Sequence, residues 1–219
     1  MLPNKIIPIP NADKEFHEKW TQKRNMLNFP HPFRAVIFGP PNCGKSTTVK
    51  NIILRADPPF ERIVIIHCDA EQTAEYDDLG PVEMLSEIPD VSEWDGIDKT
   101  MVVIDDVDVR SLPPPQQSAL DRLFGYVSTH KNISPLLCSQ DPFNVPKNVR
   151  AYANVWILFK LRDRDSLQCA GRRAGVTSKK ILDLFDNFVQ GDHDSIWIDY
   201  TRNTPYPLRL NGYKVLSLC

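Results

Sequence analysis

Four consecutive apolar residues, Ala35-Val36-Ile37-Phe38, run directly into Gly39-Pro40-Pro41-Asn42-Cys43-Gly44-Lys45-Ser46, and a helix-compatible stretch follows to about Arg55. An apolar run this short, without polar alternation, reads as a strand buried on both faces, and such strands belong to parallel sheets covered by helices. The glycine-bounded loop fits GxxxxGK[ST] at every fixed position and stands between a strand and a helix, where its mechanics require it. Glycines let the backbone curl so that successive N–H groups point inward, and a helix starting at Lys45 adds its positive end. Nucleotide phosphates are therefore expected along Gly39, Pro40, Pro41, Asn42, Cys43, Gly44, Lys45, Ser46 and Thr47. Lys45 would neutralise them, and the Ser46 hydroxyl would reach Mg2+, an ion that prefers oxygen ligands.

A phosphate loop of this kind works with an acid at the end of a neighbouring strand, and Met101-Val102-Val103-Ile104-Asp105-Asp106 supplies two. Asp105 is assigned to the Mg2+ shell. Asp106 stands where many P-loop ATPases carry the glutamate that polarises the attacking water, although aspartate is one methylene shorter. A loop carboxylate or helix cap is the other reading of Asp106, and Asp108 is a weaker rival for its role. A third apolar strand, Leu136-Leu137-Cys138, ends in Ser139-Gln140, at the sheet edge where ligands bind in such folds. Gln140 could read the γ-phosphate or be an ordinary loop amide. No Asn-Lys-x-Asp guanine-reading motif is present, which disfavours a GTPase.

The remaining pattern alternates strands with helices. Strands are expected at Arg62 to His67, Met101 to Ile104, Ile133 to Cys138, Val155 to Phe159 and Ser195 to Tyr200. Helices are expected at Gln116 to Thr129, near Asp165 to Arg173, and at Ser178 to Phe188, with the acidic stretch Asp69 to Asp98 as loop plus a short helix. This is an α/β chain of P-loop NTPase type, a mainly parallel sheet flanked by helices. We divide it into an N-terminal arm and helix (1–33, with Phe16 and Trp20 on one helix face), a P-loop ATPase domain (34–200) and a C-terminal extension (201–219). The apolar runs are far short of the roughly 20 residues that span a bilayer, and the N-terminus lacks the apolar stretch of a secretory leader. Five cysteines at Cys43, Cys68, Cys138, Cys169 and Cys219 show no metal-knuckle or paired spacing, so free thiols in a reducing compartment are expected. Residues 1–109 hold 11 Lys and Arg against 19 Asp and Glu, and residues 110–219 hold 15 against 9. The basic half could face phosphate, or the asymmetry could be incidental.

With these three motifs the chain resembles the genome-packaging ATPases of the FtsK–HerA superfamily, in particular the poxvirus-type ATPases of eukaryotic double-stranded DNA viruses and virus-like transposons. The resemblance runs from about Arg34 to Phe188. Its most telling stretch is Thr129-His130-Lys131-Asn132-Ile133-Ser134 leading to Ser139-Gln140, then Phe143, Arg150 and Val155 to Lys160. It implies a homo-oligomeric ring that uses ATP and Mg2+ to thread double-stranded DNA into a preformed capsid, without sequence preference. It also implies a portal or vertex partner, no membrane, and a place in the host nucleus or a cytoplasmic virus factory, with transient residence at the capsid vertex. Gln140 would be the γ-phosphate sensor. In such rings an arginine of one subunit reaches the nucleotide of the next. Where related motors can carry it this chain has Thr129-His130-Lys131, so the candidates are Arg150, Arg162, Arg164, Arg172 and Arg173, with Arg150 first because it follows the Gln140 loop. Lys160, Arg162, Arg164, Arg172, Arg173, Lys179 and Lys180 could line a DNA pore, or the Arg-Asp alternation could be a self-paired turn. A helicase or AAA-like ATPase, a nucleotide-gated assembly scaffold, and less readily a small-molecule kinase are the rival readings.

Overall fold

The computed structural model describes residues 29–71, 74–202 and 204–216. The helix expected from Asp13 to Leu27 lies outside the described residues, as does Cys219. In chain order the elements are β1 (Ala35–Phe38), α1 (Lys45–Leu54), β2 (Arg62–His67), β3 (Glu83–Leu85) and β4 (Thr100–Asp105). A long helix α2 follows, running as Pro114–Arg122, a π-helical turn Leu123–Val127 and a last turn Ser128–His130. Then come β5 (Ile133–Ser139), α3 (Lys147–Tyr152), β6 (Val155–Phe159), α4 (Arg164–Arg173), α5 (Ser178–Phe188), β7 (Ser195–Asp199), β8 (Leu208–Leu210) and β9 (Lys214–Val215).

The nine strands of the described residues form one sheet in the order β3-β2-β4-β5-β1-β6-β7-β8-β9. The first six in that order are parallel, and β7 to β9 run antiparallel beyond β6. Both faces are covered, which is why β1 and β6 are apolar at every position and β4 and β5 are apolar through their centres. Val36, Phe38, Val102, Ile104, Leu137, Trp156 and Leu158 face α2 to α5, packing on Leu120, Phe124, Val149, Ala170 and Ile181. The alternate residues Ala35, Ile37, Met101, Val103, Leu136, Cys138 and Ile157 face α1, packing on Val49, Ile52 and Ile53 together with Phe29 and Phe33. Each such buried side chain contributes about 1.5–3 kcal/mol of transfer free energy.

Within the described residues the expected strands and the helices after Lys45, Gln116, Asp165 and Ser178 are present with ends shifted by a residue or two, the short helix expected between Asp69 and Asp98 is replaced by 3-10 turns, and the structure adds β3, α3, β8 and β9. The acidic stretch holds two single 3-10 turns, Asp77–Leu79 and Val91–Glu93, and also β3, an edge strand pinned by Arg62 to Glu83 at 2.7 Å. The short helix α3 and the hairpin β8–β9 were not expected. All are too short to carry a readable period. The hairpin is anchored by a buried ion pair, Arg209 to Asp199 at 3.1 Å, with the guanidinium over the rings of Phe29 and Trp197.

The π turn in α2 leaves carbonyls without their usual helical donors. Arg34, the residue before β1, supplies donors: its Nε bonds the Phe124 carbonyl, and Nη2 reaches the Gly125 carbonyl at 3.2 Å and Thr129 Oγ1 at 2.6 Å. The Asn132-Ile133-Ser134 stretch has a comparable structural use. Asn132 takes a left-handed conformation, φ 57, and buried His31 bonds Asn132 Oδ1 at 2.7 Å and Ser134 Oγ at 2.7 Å, fixing the start of β5.

Candidate nucleotide-binding site

The strand order places the site. Since β5 lies between β1 and β4, with Phe38 opposite Ser139 and Ile104 opposite Leu137, the carboxyl ends of three strands are level. The loop after β1, the acids ending β4 and Gln140 after β5 therefore converge on one sheet edge.

The loop Gly39 to Gly44 is held by backbone geometry that few residues permit. A Cβ on Gly39 would lie 2.4 Å from Cys43 Sγ and 2.8 Å from Phe159 Cβ, so only glycine fits. Gly44 has φ 107 and Asn42 φ 60, both left-handed, which turns the chain into α1. No side chain caps the first turn of α1, and no acid occupies it, so its N–H groups face the cleft unneutralised. Lys45 is buried, and its Nζ donates to the carbonyls of Gly39 at 3.1 Å and Pro40 at 3.0 Å, folding the amine across its own loop.

Opposite it, Asp105 is only 2% exposed. Its Oδ2 lies 3.5 Å from Ser46 Oγ and also accepts the Tyr76 hydroxyl, while Oδ1 accepts the Asp106 N–H at 3.2 Å. Burial, then the neighbouring Cys138 and Asp105, drive the Tyr76 hydroxyl far above its ordinary ionisation range, so it is a donor to the carboxylate. Burial likewise pushes the Cys138 thiol well up, next aided by Asp105, which leaves it protonated and inert. Burial raises the Cys43 thiol too.

Asp106 follows at φ 51, a conformation tolerated by aspartate but uncommon outside glycine and asparagine. Its carboxylate is half exposed and turns toward His67 Nε2 at 3.8 Å. Asp108 is otherwise engaged, accepting the Arg110 N–H at 3.2 Å within a turn.

These groups line a cleft of about 630 Å3, bounded by Pro41, Asn42, Gly44, Lys45, Ser46, Thr47, Asp105, Asp106 and Gln140, and also by Thr48, Glu75, Phe159 and His193. A second hollow of about 410 Å3 shares Lys45, Asp106 and Gln140 and is closed by Cys68 and Asn144. The larger volume falls within the usual range for small-molecule sites, about 300–1,000 Å3. Gly39, Pro40 and Cys43 do not line the cleft; they form its frame. The carbonyl of Cys43 pairs with His193 Nδ1 at 3.1 Å. Arg150 is not among the lining residues. It is half-buried on α3, donates to the Pro142 carbonyl at 2.8 Å, and so ties down the loop after Gln140.

Sequence reasoning missed Glu75, Tyr76, Phe159 and His193. Phe159 closes the strand beside β1 and was findable from the sheet order, whereas the others come from irregular segments without a period. The hard oxygens of Ser46 and Asp105 fit a divalent cation such as Mg2+, which takes one or two protein ligands and keeps waters. Among the described residues no group of three or more His, Cys, Asp or Glu side chains could hold a metal, so these two would share it with nucleotide and water.

The strand order and the loop define a P-loop NTPase fold. The DNA-packaging ATPase B204 of Sulfolobus turreted icosahedral virus has this fold, with a TM-score of 0.62, 17% identity, and coverage of 85% of this chain and 99% of that one. B204 of Sulfolobus turreted icosahedral virus 2, solved with AMPPCP, matches with a TM-score of 0.59 and 14% identity over 84% and 98% of the two chains. The cytoplasmic domain of the type VII secretion ATPase EccC of Thermomonospora curvata matches at 0.56 and 10% identity, over 84% of this chain and 25% of that one. No protein-family model matches the sequence, and no curated protein does.

Proposed function

We propose that this chain is an Mg2+-dependent ATPase that drives double-stranded DNA into a viral capsid. The observation that carries the reading is the convergence of Lys45, Ser46, Asp105, Asp106 and Gln140 on one cleft floored by an uncapped helix end. In use, Lys45 leaves the carbonyls of Gly39 and Pro40 for the β- and γ-phosphates, while the first N–H groups of α1 hold the same oxygens. Mg2+ bound by Ser46 and Asp105 would screen the charge that builds between the phosphates. Asp106 accepts a proton from the water that attacks the γ-phosphorus, and Gln140 contacts the γ-phosphate from the end of β5. Residues 34–200 carry this activity, with 1–33 and 201–219 flanking it.

The DNA-packaging part rests on the likeness to B204, a packaging ATPase by name, and on the basic second half of the chain. Lys160, Arg162, Arg164, Arg172, Arg173 and Lys179 are exposed and Lys180 is half-buried. They divide between the two ends of α4, a ten-residue helix about 15 Å long. Arg164 is paired with Asp186 at 3.0 Å, which leaves the others as better phosphate contacts. Phosphate contacts are sequence-tolerant and weaken steeply with salt. The assembly is a homo-oligomeric ring at a portal or vertex protein, in the host nucleus or a virus factory, with Arg150 as the residue offered to the neighbouring nucleotide. No helix among the described residues is long and apolar enough to cross a membrane.

The test is steady-state ATP hydrolysis with and without double-stranded DNA, at low and high salt, for wild type, Lys45→Ala and Asp106→Asn. DNA-stimulated turnover that salt removes, that Lys45→Ala abolishes and that Asp106→Asn lowers steeply supports the motor. ATP binding with negligible turnover under every condition would replace it with a nucleotide-gated scaffold.

A further inference from the structure

We infer that His67 is a positioning residue for Asp106, holding the carboxylate at the orientation in which it meets the attacking water. The inference rests on the reading of Asp106 as the base.

His67 ends β2 and is the register partner of Asp105, so it stands on the strand next to the two acids. Its side chain is 9% exposed and its direction is set by one bond: the Asp69 N–H donates to Nδ1 at 3.0 Å. A backbone N–H can only donate, so Nδ1 is the acceptor, and Nε2 carries the hydrogen. Asp106 Oδ2 lies 3.8 Å from that nitrogen. Asp106, by contrast, is poorly held by its own chain. Its backbone sits at φ 51, its N–H is used by Asp105, and its side chain is 53% exposed between two hollows.

A carboxylate on a short, exposed side chain samples several rotamers, and only a fraction serve as base. A donor fixed on the adjacent strand removes that freedom by occupying Oδ2 and leaves Oδ1 for water. Glutamate, longer by a methylene, would reach the water without such a support. The His67 contact is therefore what lets aspartate serve at this position. At 3.8 Å the pair is longer than a hydrogen bond, and for this role it must close when nucleotide fills the cleft, as catalytic contacts commonly do.

The experiment compares His67→Phe, which keeps a ring and loses the donor, with His67→Gln, which keeps an N–H donor. His67→Met is carried alongside in case the phenyl ring does not fit. Each is made alone and with Asp106→Asn, and kcat and KM for ATP are measured with DNA present, together with ATPγS affinity. The expected result is a kcat about tenfold lower in His67→Phe and His67→Met, KM and ATPγS affinity within about twofold, and partial recovery in His67→Gln. The doubles should be no slower than Asp106→Asn alone, because two residues acting as a unit are not additive. Wild-type kcat in both donor-free variants, or a further tenfold loss in the doubles, overturns the inference while leaving Asp106 as base. Full turnover in Asp106→Asn alone overturns the reading of Asp106 and the inference with it.

Discussion

The Tyr76 hydroxyl and Ser46 Oγ meet the same atom, Asp105 Oδ2. A carboxylate that accepts a buried hydroxyl is fixed in rotation, and the tyrosine comes from a loop between β2 and β3 that no motif marks. Tyr76 would thus orient the carboxylate proposed to hold Mg2+ without itself binding metal, and groups in that position commonly change affinity or activity 10–100-fold when removed. We expect Tyr76→Phe to raise the Mg2+ concentration for half-maximal ATP turnover by about tenfold while leaving the unfolding midpoint within a few degrees. A Mg2+ titration at fixed ATP, read beside thermal unfolding, checks it.

Gly39 offers a sharper case, because both clashing neighbours of an added Cβ belong to the frame of the cleft. Gly39→Ala places that carbon 2.4 Å from Cys43 Sγ and 2.8 Å from Phe159 Cβ. The thiol can turn aside, but a Cβ on β6 moves only with its strand. Overpacking of this kind costs about 1–3 kcal/mol. Gly39→Ala should therefore lose ATP binding, measured by equilibrium titration, and lower the unfolding midpoint. Cys43→Ala in the same background should recover only part of either.

Lys99 gives a pH dependence with a definite sign. Its side chain is buried over the Phe60 ring, and burial lowers its pKa to about 8 against the opposing influence of Asp57 and Glu61. Below pH 8 both folded and unfolded chains carry the proton, and the buried charge costs stability. Between about 8 and its ordinary value of 10.5 the folded chain has shed a proton that the unfolded chain keeps, so stability due to Lys99 rises with pH. Relative to Lys99→Met, the wild type should gain roughly 1–3 kcal/mol between pH 7.5 and 10, measured by urea denaturation. A difference that stays flat or falls contradicts the assignment.

Much of the site was legible in the sequence, and the reason is physical. A strand buried on both faces is apolar through its centre, so β1, β2, β4, β5 and β6 stand out, and polar residues at or just past their ends are conspicuous by contrast. Asp105 closes β4 and Gln140 follows β5, while Lys45 stands out through the glycine-bounded loop after β1. Tyr76 and His193 are not, since each comes from an irregular segment and is recruited only by tertiary folding. Arg34 was similarly opaque: Leu123 to Val127 reads as continuous helix, and nothing local tells that its carbonyls need a donor from the start of β1. Glu83 to Leu85 and Leu208 to Leu210 are three residues each, too short for alternation to register.

One consequence follows from the place of β5. Neighbouring strands lie about 4.8 Å apart, so a single inserted strand sets the gap between the β1 loop and the acids at about 10 Å. The sheet therefore acts as a ruler whose markings are backbone hydrogen bonds, and neither β1, which carries the phosphate loop, nor β4, which carries Asp105, can shift without shearing that lattice. Gln140 sits just past the end of that lattice, and the turn after it is tethered through the Pro142 carbonyl to Arg150 on α3, so the spacer strand is moored at its tip as well as along its edges.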